Sequence, residues 1–401
     1  MKITCGIFAN IAPLYSEPLW RELSNSETID YYFYSSCKGY SSIKTIDVCE
    51  SRSLNKSGSF NWYFIKNIYI KNILIYQSGV IYKCLRTKYD AYIFNGEMNC
   101  LSTWVAAIVC KLRRKPVIFW GHGLYGNEKN IKYFFRILFY KIADFHLIYG
   151  NRSRNLMLKS GFSENRVFTV YNSLNFHVHE SFFSDVAKDD LIKIRKELFP
   201  FSFDDPVLIF LGRLTKEKKV PYLLKALEIL NTKGKRFNCL IIGGGPEMQK
   251  LRELKDSLKI HNSICLFGEN YDEKINAKFI MMADCCISPG SVGLTAIHCL
   301  SLGTPVITHG NLENQGPEVE VIKTGITGQF FKEDDINDLS AKIEEFVSTG
   351  KKKLIEQDCF DAIKKQWTPE NQRAIFDKVV RLSIDTLGPE KNLSDPAQVN
   401  S

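Results

Sequence analysis

The feature that most constrains this chain is a grammar repeated along its 401 residues: a short apolar run, a polar or glycine-bearing loop, then a helical pattern. Apolar runs at 2–9, 30–35, 89–95, 116–123 and 146–150 read as strands. Helices are expected from near Leu19, over 61–86, 100–114 and 132–145, and residues 165–175 close this half. The grammar resumes with strands in PVLIFLGRL (206–214), FNCLIIGGGPE (237–247), SICLFGE (263–269), DCCISPG (284–290), TPVITHG (304–310) and GQFF (328–331). Strands alternating with helices build parallel sheets covered on both faces. The expected fold is therefore α/β, two doubly wound Rossmann-like domains facing across a cleft, with ligands at the carboxyl ends of the strands.

A chain of this length exceeds one hydrophobic core, which also argues for two domains. The expected division is 1–185 and 206–366, joined by a linker at 186–205. A helix at 367–386 and a frayed polar tail at 387–401, with Pro389 and Pro396, complete it. The twelve cysteines are scattered and form no Cys-x-x-Cys pair, so buried thiols in a reducing cytosol are expected rather than a disulfide framework or zinc site. The N-terminal stretch has too short an apolar core for a signal peptide, and no run of 18 apolar residues suggests a membrane span.

Charge is uneven. Residues 1–180 hold 23 Lys+Arg against 12 Asp+Glu, while the whole chain carries +9, so the entire excess lies in the first half. Such a domain suits an anionic surface or substrate, a lipid headgroup or phosphate-bearing acceptor; simple solubility is the plain alternative. No nucleic-acid signature accompanies the charge.

Three strand ends carry candidate phosphate chemistry. In GRLTKEKKV (212–220), a turn can aim Arg213 and Lys218 at one anion, a planar fork and a mobile point charge. In SPGSVGLTAIHC (288–299), the amides of Gly293, Leu294 and Thr295 open a helix and form a potential anion cradle. In IIGGGPE (241–247), the glycines approach a dinucleotide fingerprint, but Met248 stands where glycine or alanine is required.

In order and spacing, residues 207–331 resemble the C-terminal domain of the retaining GT-B glycosyltransferases of family 4. The motifs stand here as GRLTKEKK (212–219), GGGPE (243–247), GSVGLTAIHCLSLGTPV (290–306) and QGPEVEVIKTGITG (315–328). The resemblance implies a nucleotide-diphosphate-sugar donor, Arg213 and Lys218 supporting departure of the diphosphate, and no bound metal. No Asp-x-Asp triplet is present. Gly212, the Gly293–Thr295 amides and Gly268 would contact the donor. The family's two glutamates fall on Gly290 and His298; His298 would contact ribose or pack in the core. Glu313, Gln315 and Glu318 are candidates to replace the first glutamate. Trp367–Ile384 would form the helix that returns to the first domain.

In the first half, Asn10 and Tyr15 follow the first strand, Glu97 ends another, and His122 stands between two glycines at a third strand end. Asn10, Tyr15 and Glu97 are candidate acceptor contacts, and the resemblance sets His122 by the reacting centre. Asn172 matches an Asn-rich turn before the linker. Lys129, Lys132 and Arg136, beside Phe134, Phe135 and Phe139, suggest a helix resting on an anionic cytoplasmic leaflet, where a polyprenyl-linked acceptor would reside. The implied activity is sugar transfer to a glycan or lipid-linked hydroxyl in bacterial surface polysaccharide synthesis. The alternatives are a GT-B sugar-nucleotide epimerase and a non-catalytic sugar-nucleotide-binding protein.

Overall fold

The computed structural model describes residues 2–36, 44–46, 61–71, 73–128, 130–348, 350 and 352–387. The expected frayed tail lies outside these residues from 388 on. The chain divides into two compact units, 1–170 with 373–401, and 171–372.

The first unit contains β1 (Ile3–Ile11), α1 (Glu17–Ser24), β2 (Ile29–Ser36), β3 (Asn61–Phe64), β4 (Asn67–Ile70), β5 (Leu74–Gln77) and α2 (Val80–Arg86). It continues with β6 (Ala91–Asn95), α3 (Leu101–Leu112), β7 (Val117–Gly121), α4 (Asn130–Tyr140), β8 (Phe145–Ile148), α5 (Asn151–Lys159) and β9 (Val167–Thr169). Its sheet is β3-β2-β1-β6-β7-β8-β9, and every pairing is parallel. The helix expected over 61–86 is corrected. Among the described residues of this stretch, β3 and the antiparallel pair β4–β5 take its first part, and only 80–86 are helical. The run NIYI alternates in exposure along β4, and Ile and Tyr favour the pleated surface, so period 2 wins over the mixture read as helix.

The second unit begins with α6 (Phe176–Asp185), α7 (Lys188–Leu198), β10 (Val207–Leu211), α8 (Val220–Thr232), β11 (Asn238–Ile242), α9 (Met248–Ser257) and β12 (Ile264–Gly268). Then come α10 (Glu273–Met282), β13 (Cys285–Ser288), α11 (Thr295–Leu300), β14 (Val306–His309), β15 (Gly328–Phe331), α12 (Ile336–Ser348), α13 (Lys352–Lys364) and α14 (Pro369–Leu387). Its parallel sheet runs β12-β11-β10-β13-β14-β15. The order steps outward from β10, then reverses to its other side at β13, which is the doubly wound pattern. Val220, Leu223, Leu224, Leu227 and Leu230 are buried on α8 at helical spacing. Each such side chain stabilises the packing by about 1.5–3 kcal/mol.

The division differs from the one expected. The first unit ends at Val170, and the expected linker contains α7. Phe176 and Phe199 explain this, since both are buried in the second unit's core. From Arg373, α14 counts with the first unit, where Phe376, Val379 and Val380 are buried. The ten cysteines among the described residues are free thiols, nine of them buried.

Candidate functional site

In the second unit, the sheet reverses direction between β10 and β13, and the loops leaving these two strands hold the candidate anion groups. The β10 loop is fixed to its neighbour: Gly212 N donates to Ile242 O at 3.0 Å, and Leu214 N to Gly244 O at 2.8 Å. A Cβ on Gly243 would stand 1.8 Å from Gly212 O, and one on Gly245 2.5 Å from Leu214 O. The glycine triplet thus lets two strand-end loops touch backbone to backbone. Its partial match to a dinucleotide fingerprint reflects this packing.

Arg213 is exposed and Lys218 half-buried in this loop. Lys218 Nζ donates to Ser291 O, tying the β10 loop to the β13 loop. Burial first, then the neighbouring Arg213 charge, lowers the Lys218 pKa, against Glu318 and Glu217, which raise it. Two cations held this close repel, and an anion between them relieves that repulsion. Lys216 is exposed, whereas Lys219 pairs with Glu333 at 2.9 Å and Asp334 at 2.6 Å.

The turn before α11 is shaped for main-chain recognition. Gly293 has φ +57°, and a Cβ there would meet nothing within 4 Å. Its carbonyl accepts from Ala296 N at 3.1 Å, so the amides of Gly293, Leu294 and Thr295 precede that first bond of the helix. Thr295 Oγ1 donates to Leu211 O at 3.0 Å and binds this turn to the end of β10.

Gly290 occupies the position of the family's first glutamate, and its surroundings explain the departure. A Cβ there would lie 1.9 Å from Glu217 O and 2.8 Å from Lys218 Cα. The main chain of the Lys218 turn fills that space, and Gly290 N donates to Lys218 O at 3.1 Å. Of the suggested replacements, Gln315 is committed internally: its oxygen accepts from Val292 N at 2.9 Å, and its nitrogen donates to Thr308 Oγ1 at 2.9 Å. Glu313 is exposed. Glu318 is buried, accepts from Asn172 Nδ2 at 2.7 Å, and its pKa is raised by burial against the lowering effects of Asn172 and Lys218. Asn172 and Glu318, singled out separately in the sequence, are thus one pair.

Gly268 ends β12 with φ +93°, and open space surrounds its Cα. The adjacent Phe267 is exposed. His298 is not left open to a ligand on its own: its Nε2 lies 2.7 Å from Glu273 Oε1.

In the first unit, the switch lies between β1 and β6. Asn10, near the end of β1, is 9% exposed, and its Oδ1 has no hydrogen-bond partner among the described residues. An unsatisfied buried acceptor is costly and points to a ligand donor. Asn67 and Gln77, which sequence reasoning missed, hold the Asn10 backbone. Asn67 Nδ2 donates to Asn10 O at 2.7 Å, and Gln77 Nε2 to Ala9 O at 3.0 Å. Tyr15 is exposed on the 3-10 turn Leu14–Ser16.

Glu97 and His122 end neighbouring strands. Tyr140 Oη donates to Gly96 O at 2.8 Å and accepts from Gly123 N at 3.0 Å, linking their two loops. Burial raises the Glu97 pKa, partly offset by Arg136 and Lys132. His122 lies against Tyr125 at 5.7 Å and Tyr149 at 5.0 Å between ring centroids. Burial, then Arg136, pulls its pKa down to about 4, so the ring is neutral near pH 7. The His122 loop is anchored by Glu128, which accepts from Tyr125 N at 3.0 Å and Gly126 N at 2.8 Å and pairs with Arg136 at 2.9 Å.

That pair corrects the expected basic face of α4. Arg136 and Phe139 are buried, while Ile131, Phe134, Phe135 and Leu138 are exposed. Lys129 lies outside the described residues. On α3, Leu101, Val105, Ile108 and Leu112 form a second exposed apolar stripe. An open cavity of about 1080 Å³ is lined by Leu101, Trp104, Tyr125, Lys132 and Phe135 among others.

Two parallel sheets of this strand order, each bearing candidate groups on loops at its switch point, define the GT-B architecture. Residues 193–357 match the family described as Glycosyl transferases group 1. An uncharacterised glycosyltransferase of Methanocaldococcus jannaschii is 29% identical over 202 residues, 49% of this chain and 46% of that protein. An alpha-monoglucosyldiacylglycerol synthase of Streptococcus pneumoniae is 28% identical over 130 residues, 32% of this chain and 29% of that protein. The matches thus span less than half the length of these two relatives. The Anabaena protein HepE, solved in complex with UDP, superposes with a TM-score of 0.71 at 14% identity, covering 95% of this chain and 100% of its own. Among the described residues, no helix is long and apolar enough to cross a membrane.

Proposed function

We propose that this chain transfers a sugar from a nucleotide-diphosphate donor to a hydroxyl of a glycan or lipid-linked acceptor. The observation that carries the reading is the junction of Arg213, Lys218 and the Gly293–Thr295 turn at the β10–β13 switch point. Two cations and a row of amides suit a diphosphate that gains charge as the sugar leaves. The positive charge for that step comes from Arg213 and Lys218. Glu318, held by Asn172, balances Lys218 beneath the site.

The sugar contacts of the family's first glutamate pass to other groups, because the backbone at Glu217 occupies the space beside Gly290. The first unit takes the acceptor. Asn10, whose buried oxygen has no partner among the described residues, Tyr15 and Glu97 contact the acceptor hydroxyls, and neutral His122 offers them a hydrogen bond. Transfer proceeds with retention. Mixing donor and acceptor and reading the product anomer by NMR tests this; the inverted anomer refutes it.

The acceptor is presented at a cytoplasmic membrane surface during bacterial surface polysaccharide synthesis. The apolar stripes of α3 and α4, in the half of the chain that carries the whole excess of positive charge, support this reading. Flotation with anionic and neutral liposomes tests it, and recovery near zero with both ends it. The donor reading is tested by thermal shift against UDP-, GDP- and ADP-sugars, with UDP tried first because the Anabaena protein was solved with UDP. No stabilisation by any of them, or the same stabilisation after Arg213→Ala and Lys218→Ala, overturns it. The glycine at 290 also keeps a second reading alive, a sugar-nucleotide-binding protein without transfer. Tight donor binding with no turnover on any acceptor would favour it.

A further inference from the structure

His179 on α6, Glu273 at the start of α10 and His298 on α11 converge, although 119 positions separate the first from the last. Both imidazole Nε2 atoms point at one oxygen, Glu273 Oε1, at 3.0 Å from His179 and 2.7 Å from His298. The two rings stack with centroids 4.9 Å apart and planes at 14°. All three ligand atoms lie within 4.8 Å of one another. The histidine side chains are 3% and 11% exposed, and that of Glu273 is 42% exposed, so the cluster is closed on the protein side and open on one face.

Ser301 stands behind His179. Its Oγ lies 2.9 Å from the His298 carbonyl and 2.7 Å from His179 Nδ1. In the tautomer where the hydroxyl donates to that carbonyl, His179 Nδ1 donates to Ser301 Oγ. In the neutral ring this leaves a lone pair on His179 Nε2, aimed at a carboxylate oxygen. Two acceptors facing each other in a buried space repel, and a cation between them removes the conflict. A ring nitrogen bound to an oxygen behind it, with the other nitrogen bare and turned inward, is the usual posture of a histidine metal ligand.

We infer that His179, Glu273 and His298 bind one divalent cation of zinc-like preference, with a water completing the coordination on the open face. Two imidazoles and a carboxylate form a ligand set that zinc favours. Ligand bonds of about 2.0–2.1 Å put tetrahedral donors about 3.3 Å apart, so each histidine nitrogen need draw back from Glu273 Oε1 by only about half an ångström. The ion would brace α11 against α6 and α10, below the turn that carries Gly293–Thr295. It takes no part in the proposed transfer, and the inference stands whether or not that reading holds.

The test uses the full chain stripped with chelator and titrated with Co²⁺, then Zn²⁺. Expected are a visible d–d band saturating at one equivalent, its displacement by Zn²⁺, and a rise in Tm on adding Zn²⁺. Glu273→Gln keeps the shape and offers the histidines both a donor and an acceptor, so it folds, but its affinity for Co²⁺ should fall at least tenfold. Ser301→Ala, which removes only the group behind His179, should weaken binding by about 10–100-fold. No band and no change in Tm with the wild-type chain overturns the inference. So does a band unchanged by Glu273→Gln, or one with the intense near-ultraviolet charge transfer of cysteine ligation.

Discussion

The two units share one strand order but build their candidate sites from different materials. In the second, the groups at the switch point are mostly main chain. Gly243, Gly245 and Gly290 let loops approach one another, and Arg213 and Lys218 add the charge. In the first, the groups are side chains held by other side chains: His122 above the Glu128–Arg136 pair, and Asn10 behind Asn67 and Gln77. A diphosphate is the same in every donor, so backbone geometry can recognise it. An acceptor varies, and recognition by replaceable side chains suits variation.

The sharpest way to break this comparison is to remove the charge from one unit only. Arg213→Ala or Lys218→Ala should reduce transfer by about 10²–10³-fold each, with Tm nearly unchanged. Turnover with a matched donor measures it, and a loss under tenfold in both would show that the main chain alone holds the diphosphate. Next comes Glu128→Ala, which leaves Arg136 buried without its partner and should cost about 3 kcal/mol of stability. Chemical denaturation reads this cost. Donor affinity, measured by titration well below the transition, should stay within twofold.

Restoring the family's glutamate gives a smaller but more pointed effect. Gly290→Glu forces a Cβ to within 1.9 Å of Glu217 O, so it should destabilise the protein by about 2 kcal/mol and weaken donor binding. Gain of activity instead would mean that the Lys218 turn moves freely. The smallest expected effect on rate is in pH. His122, held near 4 by burial, should contribute no step to the rate between pH 6 and 8. His146, lowered to about 3 by burial and then Arg166, behaves alike in stability. Both pKa values lie below the unfolded value of about 6.5, so the unfolded chain binds the extra protons. Stability is therefore full above about pH 6.5 and declines as pH falls toward 4. A Tm series from pH 7.5 to 4.5 checks the sign, and a constant or rising Tm on acidification contradicts it.

Much of the second unit was legible because its signals are contiguous. A strand, a turn with Arg213 and Lys218, and a glycine before a helix are each read within ten residues. The glycine triplet 243–245 was visible but not its purpose, because the carbonyls it makes room for belong to the β10 loop. Arg136 was misassigned to an outer face for a similar reason. Its spacing fits a basic stripe, but Glu128 and the Tyr125 ring, 4.7 Å away, draw it inward. The β4–β5 pair was missed because aromatic and basic residues at short range satisfy helical and extended patterns equally.

The amino-acid order by itself determined the alternation of strands and helices, the glycine turns and the cation pair, since backbone preference and hydrophobic period act over a few neighbours. Only the tertiary structure decided that Gly290 has no room for a side chain, that Asn172 meets Glu318, and that His179, Glu273 and His298 share one oxygen. Those outcomes depend on which distant segments the sheet order brings side by side, and a short window of sequence carries no record of that.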